Sequence, residues 1–252
     1  MTRFLDAVLV TAFALGLGIP VRAADDKEAK AILDKAIKAL GGEEKLSKIK
    51  AVTWKAKGTL NFGGGDSNFT SEATVQGLDH SRNEFAGEFG DMKVKGVTVL
   101  AGDKGWRKFG DMQAALEKDQ LANARRAHYL QLVPVTLVVL KDKPFKFEAA
   151  KKEKVDGKPA VGLKITGPDG KDFTLYFDKE SGLPVKLVAK VAGFMGGEFT
   201  QETTFSDYKE MGGIKKATRI KATRNGEKFL DQEITDFKVL DKVDPKLFTE
   251  PK

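Results

Sequence analysis

Hydrophobic and polar positions divide the chain into three regimes. Ala29, Ile32, Leu33, Ala36, Ile37 and Leu40 recur at helical spacing, which predicts a helix with one apolar stripe. Asp25 or Asp26 can cap its start, and Gly41-Gly42 suits its end. A short helical piece, "EEKLSKI" (43–49), is expected next. From residue 51 the period becomes that of a strand. Val52, Trp54, Ala56 and Leu60 alternate with Thr53, Lys55, Lys57 and Thr59, giving one dry and one wet face. Further strands are expected near 69–78, 82–89, 92–101 and 104–109, then at 145–154, 159–166, 172–178, 184–192, 198–207, 215–224 and 228–239. Asp169-Gly170 and Asn225-Gly226 are strong hairpin signals, and "GGG" (63–65) reads as another hairpin tip. Short connections imply antiparallel neighbours in meander order. In "MKVKGVTVL" (92–100) the apolar phase slips at Gly96, where a β-bulge is expected.

The third regime lies between the two runs of strands, at 111–142. Its first part, to about Leu132, has helical character, and Pro134 is expected to interrupt any continuous helix. Here lies "LQLVPVTLVVL" (130–140), the least polar stretch after the N-terminal segment. It is too short to cross a bilayer, which takes about 20 apolar residues, and too uniformly apolar for a strand with one wet face. The expected fold is therefore mainly β. It is one antiparallel sheet of about 10–11 strands, wide enough to curl, with an N-terminal helix and a mid-chain helical insertion available to cover its concave face.

Composition narrows the setting. Arg3, the apolar run "AVLVTAFALGLGI" (7–19) and "VRA" (21–23) resemble a secretory signal. Residues 1–23 are thus expected to direct export and be removed, leaving 24–252 as a single domain; the alternative is a retained N-terminal anchor. The chain has no cysteine, so an exported form draws no stability from disulfides. No second long apolar run follows, so no span is expected after signal removal. The net charge of +7 is spread along the chain and reads mainly as solubility.

Few residues offer catalytic chemistry. The chain has two histidines, His80 and His128, and no thiol. No H-E-x-x-H, G-x-S-x-G or P-loop pattern occurs, so no metal, cofactor or catalytic residue is expected. Glu198 and Glu202 share strand parity but belong on the wet face opposite Phe199 and Phe205. His128, in "RRAHYL", reads as a surface or capping residue. Lys215, Arg219 and Lys221 share one strand face, either a solvated exterior or a docking face for an anionic lipid or envelope protein. Nucleic acid is not an expected partner.

The motifs "KALGG", "IKAVTWKAKGTL", "GDKGW", "VDGKPAVGLKI", "LYFDKESGLPVKL", "TTFSDYKEMGGIKKATRIKATRNGEK" and "LFTEP" resemble exported bacterial proteins related to the LolA/LolB lipoprotein carriers. The resemblance spans about residues 28 to 251 and rests on turns and strand starts. It implies an incomplete barrel closed by a helical lid over a cavity for acyl chains. It also implies an arginine that latches the lid, for which Arg107, Arg125 and Arg126 are candidates. Trp54, Trp106, Phe173 and Leu175 would then line the concave face, with Tyr129, Leu132, Val135 and Leu137 on the lid. The expected protein is a monomeric, non-enzymatic carrier for a lipid or acylated protein. The alternative is an envelope interaction protein whose interior is permanently filled.

Overall fold

The computed structural model describes residues 21–61, 65–90, 92–193 and 196–252. The expected signal lies outside them except for Val21–Ala23, and the expected tip at 63–65 except for Gly65. Strands β1 (Ala51–Asn61), β2 (Asp66–Gln76), β3 (His80–Phe89), β4 (Met92–Ala101), β5 (Lys104–Phe109) and β6 (Met112–Ala115) form a first meander. Strands β7 (Lys146–Val155), β8 (Lys158–Thr166), β9 (Asp172–Asp178), β10 (Pro184–Ala192), β11 (Glu198–Met211), β12 (Ile214–Arg224) and β13 (Glu227–Leu240) form a second. The meanders join where β13 pairs with β1, making one antiparallel sheet of 13 strands. The sheet does not close: β6 and β7 are its two edges. The chain between those edges is the helical insertion.

Helix α1 (Val21–Leu40) buries Ala29, Leu33, Ala36, Ile37 and Leu40, the stripe that the spacing predicts. It starts ahead of Asp25 and Asp26, so neither occupies the cap position; "VRAADD" contains no residue that would stop a helix. The short α2 (Glu43–Ser47) follows. Helix α1 packs against β8 and also β12, four steps apart in the sheet. On a flat sheet those steps span about 19 Å, wider than a helix of about 10–12 Å. The sheet must therefore curl around it.

The insertion departs from expectation in two places. Met112–Ala115 is the edge strand β6 rather than helix, because Gly110, at φ 58°, turns the chain back at once onto β5. Helix α3 then runs through Pro134, from Lys118 to Thr136. The proline lies near the last turn, so its missing N–H costs one helical hydrogen bond. The helix stops two residues later, at Thr136, and the next residue, Leu137, has φ 53° and donates its N–H to the Val133 carbonyl at 3.0 Å. A 3-10 turn, Val138–Lys141, leads on toward β7.

The expected bulge at Gly96 is absent. The β3–β4 register runs through it without a shift, and the β4–β5 pairing begins at Gly96. The apolar phase changes there because β4 has two covered faces. Val97, Val99 and Ala101 point away from the concave side, into a cluster with Val243 and Phe248 of the C-terminal segment. Register shifts occur instead at Lys55/Ala56, Ala150/Glu153, Pro184/Lys186 and Ala222/Thr223.

Helix α1 is a fixed part of the interior. Replacing the buried Leu33 by Ala is expected to cost about 2–5 kcal/mol. Urea unfolding checks this; a loss below about 1 kcal/mol would mean that the stripe is not packed as described.

Candidate functional site: a cleft between helix and sheet

Helix α3 has two dissimilar apolar faces. Tyr129, Leu132, Val133 and Val135 pack into the main core, as do Leu137 and Leu140 beyond the helix end. Their sheet partners include Leu163, Ile165, Phe173 and Leu175. The other face carries Asn123, Ala127, Leu130 and Pro134, and it borders a cleft of about 420 Å³. Opposite it stand Trp54, Phe69 and Phe85 from the first meander, with Leu187, Phe205 and Ile220 from the second.

Of the residues expected to line the cavity, Trp54 alone does so. Tyr129, Leu132, Val135, Leu137, Phe173 and Leu175 are brought together, but in the packed core behind the helix. Trp106 lies on the opposite side of the sheet, half-buried under the C-terminal segment. It pairs across the strands with Val99, which faces the same way.

The helix is tied to both meanders. Arg126 is buried, and its guanidinium is divided among four partners. Nε donates to the Lys190 carbonyl at 2.8 Å and Nη2 to the Asp172 carbonyl at 3.0 Å. Nη1 reaches the Tyr129 hydroxyl and, at 3.1 Å, the Asp169 carboxylate. Tyr129 itself donates to Asp169 at 2.8 Å. Burial, reinforced by that carboxylate, holds the phenol well above its ordinary pKa, so it stays neutral. The arrangement needs Gly167, where a Cβ would lie 2.7 Å from the Tyr129 hydroxyl. On the other side, Arg125 donates to the Gly102 carbonyl and His128 Nε2 lies 3.0 Å from that of Gly77. His128 is buried, not superficial, and burial lowers its pKa. Of the three candidate latches, Arg125 and Arg126 both tie α3 to the sheet, and Arg126 does so through the larger set of bonds. Its spacing to Tyr129 and Val133, three and seven residues on, is the sequence signal for its inward aspect.

One polar residue of the cleft was missed. Lys216 borders the cleft and is only 8% exposed. Among the described residues its ammonium has neither a hydrogen bond nor an ion pair. Burial alone pushes its pKa down to about 8. The signal was its parity: Lys216 alternates in phase with Ile214 and Ile220, whereas Lys215, Arg219 and Lys221 occupy the outer face. Of these, Arg219 pairs with Asp231 at 2.6 Å. Arg224 also borders the cleft, but it stacks 3.5 Å over the Phe229 ring and donates to Gln201 at 3.0 Å. Glu198 and Glu202 lie on the exposed face and pair with lysines. No group of residues suited to holding a metal ion occurs among the described residues, and none of their helices is long and apolar enough to cross a membrane.

No protein-family model and no curated protein sequence matches the chain. Solved structures do. A LolA superfamily protein from Nitrosomonas europaea has 14% identity, with 88% of this chain and 97% of that one covered, and a TM-score of 0.59. A DUF1329 family protein from Desulfovibrio piger has 13% identity, covering 88% and 97%, with a TM-score of 0.56. A domain ascribed to outer membrane lipoprotein sorting, from Vibrio parahaemolyticus, has 11% identity, covering 88% and 96%, at 0.56. The chain therefore has the LolA-like fold.

Two outcomes are expected. Arg126→Met removes the tie to the second meander, worth about 1–3 kcal/mol. Amide exchange in α3 should accelerate while α1 is unaffected; unchanged protection would contradict the latch. Lys216→Met should stabilise the ligand-free protein at pH 7 by roughly 1–3 kcal/mol. Between pH 8 and the ordinary lysine value of 10.5, the unfolded chain holds a proton that the folded one has lost. Native stability therefore rises with pH across that window, and the variant's advantage should shrink there. Urea unfolding at both ends of the window measures this; no gain at pH 7 would contradict the burial of the amine.

Proposed function

We propose that this protein is a non-enzymatic periplasmic carrier that holds the acyl chain of a lipid or lipoprotein in the cleft between α3 and the concave sheet. The observation that supports this most is the cleft itself. Its volume of about 420 Å³ lies within the roughly 300–1,000 Å³ of small-molecule sites, and aromatic and aliphatic side chains dominate its walls. Such a surface favours hydrocarbon over water. Each 100 Å² of apolar chain surface removed from water contributes about 2.5 kcal/mol.

The mechanism needs no bond chemistry. The core-facing side of α3 stays packed while its cleft-facing side exchanges water for an acyl chain. The Arg126 latch holds the helix at a fixed distance from the second meander, so the cleft persists when empty. Export across the inner membrane, a monomeric state and delivery to an envelope partner complete this reading. A structural role with a permanently filled interior has one observation in its favour: most of residues 130–140 are packed in the core.

Lipid extraction and mass spectrometry of the purified protein test the carrier reading. Co-purifying acyl lipids, lost when Ala127→Trp fills the cleft, are expected. Absence of lipid together with no uptake of a fluorescent fatty acid would favour the structural role.

A further inference from the structure

A cation without a counter-charge at the end of a mostly buried side chain is costly, and a cleft that bears one is not built for hydrocarbon alone. Lys216 is such a group. Its neighbours in the lining carry charge too, but that charge is committed elsewhere. Arg126 is held by Asp169 and two carbonyls. Arg224 is held by Phe229 and Gln201. Glu72 and Glu84 border the cleft but pair with Lys55 at 3.4 Å and Arg82 at 2.6 Å.

Position adds to this. Arg219 pairs with Glu233, and Trp54 with Phe237, so Lys216 falls near the level of the Trp54–Phe237 pair. It is eight residues from Arg224, at the β12–β13 hairpin, a distance of about 26 Å along a strand. The cation thus stands at the other end of the apolar strip, two residues from Ile214, where Gly41 at the end of α1 packs against the sheet.

We propose that the cleft selects single-chain amphiphiles with a terminal carboxylate, free long-chain fatty acids, and that the carboxylate pairs with Lys216 at that end. This rests on the carrier reading and deepens it. An acyl chain attached to a protein enters methyl-end first and leaves the ammonium unpaired against hydrocarbon. A free fatty acid enters carboxylate-first and supplies the missing counter-charge. The desolvation cost is already borne by the folded protein, so the pair forms from a preorganised cation. A charge-assisted hydrogen bond in that setting is among the stronger polar contacts.

The test compares hexadecanoate with hexadecanol, which has the same chain and no charge. Binding is read from Trp54 emission in a Trp106→Phe background. The unaltered site should prefer hexadecanoate roughly tenfold or more, and Lys216→Met and Lys216→Gln should erase that preference while hexadecanol still binds. Lys221→Met, on the outer face of the same strand, should keep it. Circular dichroism confirms that each variant is folded. Equal binding of both ligands, or a preference that survives at Lys216→Met, overturns the assignment and leaves the carrier reading standing. Binding of neither overturns both.

Discussion

An unclosed sheet cannot leave its concave apolar face to water, and the rest of this structure follows from how that face is covered. The two edge strands, β6 and β7, are joined by the only long helical insertion in the described chain. Helix α3 is therefore obliged to pass between the edges. Its inner residues complete the core, and the buried Arg126 fastens it to the β8–β9 turn. The helix is at once plug and lid. One face is permanently packed, and the other stands off the sheet and leaves the cleft.

That division of labour explains why so apolar a sequence as "LQLVPVTLVVL" is compatible with an open site. The hydrocarbon that seals the core and the hydrocarbon that borders the cleft lie on opposite sides of one helix. Ala127 and Pro134 border the cleft, Leu130 belongs to both cleft and core, and Leu132, Val133 and Val135 serve the core. A latch made of one guanidinium, one carboxylate and backbone carbonyls is directional. It fixes the height of the helix in a way that nondirectional apolar contact cannot.

Much of the fold was legible in the residues. Alternation located the strands, and the glycine and Asx-Gly turns ordered them, because one wet face and one dry face leave a strong period. Legibility failed where both faces are dry. In β4 the C-terminal segment covers the outer face, so Val97 and Val99 imitated a bulge. Trp106 was assigned to the concave side for the same reason. In residues 129–137 there is little polar contrast to give the helix a phase, so the sequence alone does not separate the core-facing residues from the cleft-facing ones. Lys216 is hard to single out because β12 carries lysine and arginine on its outer stripe as well, so one more lysine, on the inner stripe, does not stand out in composition.

In the proposed carrier function an acyl chain occupies the space between the cleft-facing side of α3 and the concave sheet. Crystallising the protein with a long-chain fatty acid brominated at mid-chain tests it most directly. The account predicts an anomalous bromine peak enclosed by Trp54, Phe69 and Ile220, with α3 still latched by Arg126. A bound ligand whose bromine lies on the outer face of the sheet, or in the core behind α3, would contradict it.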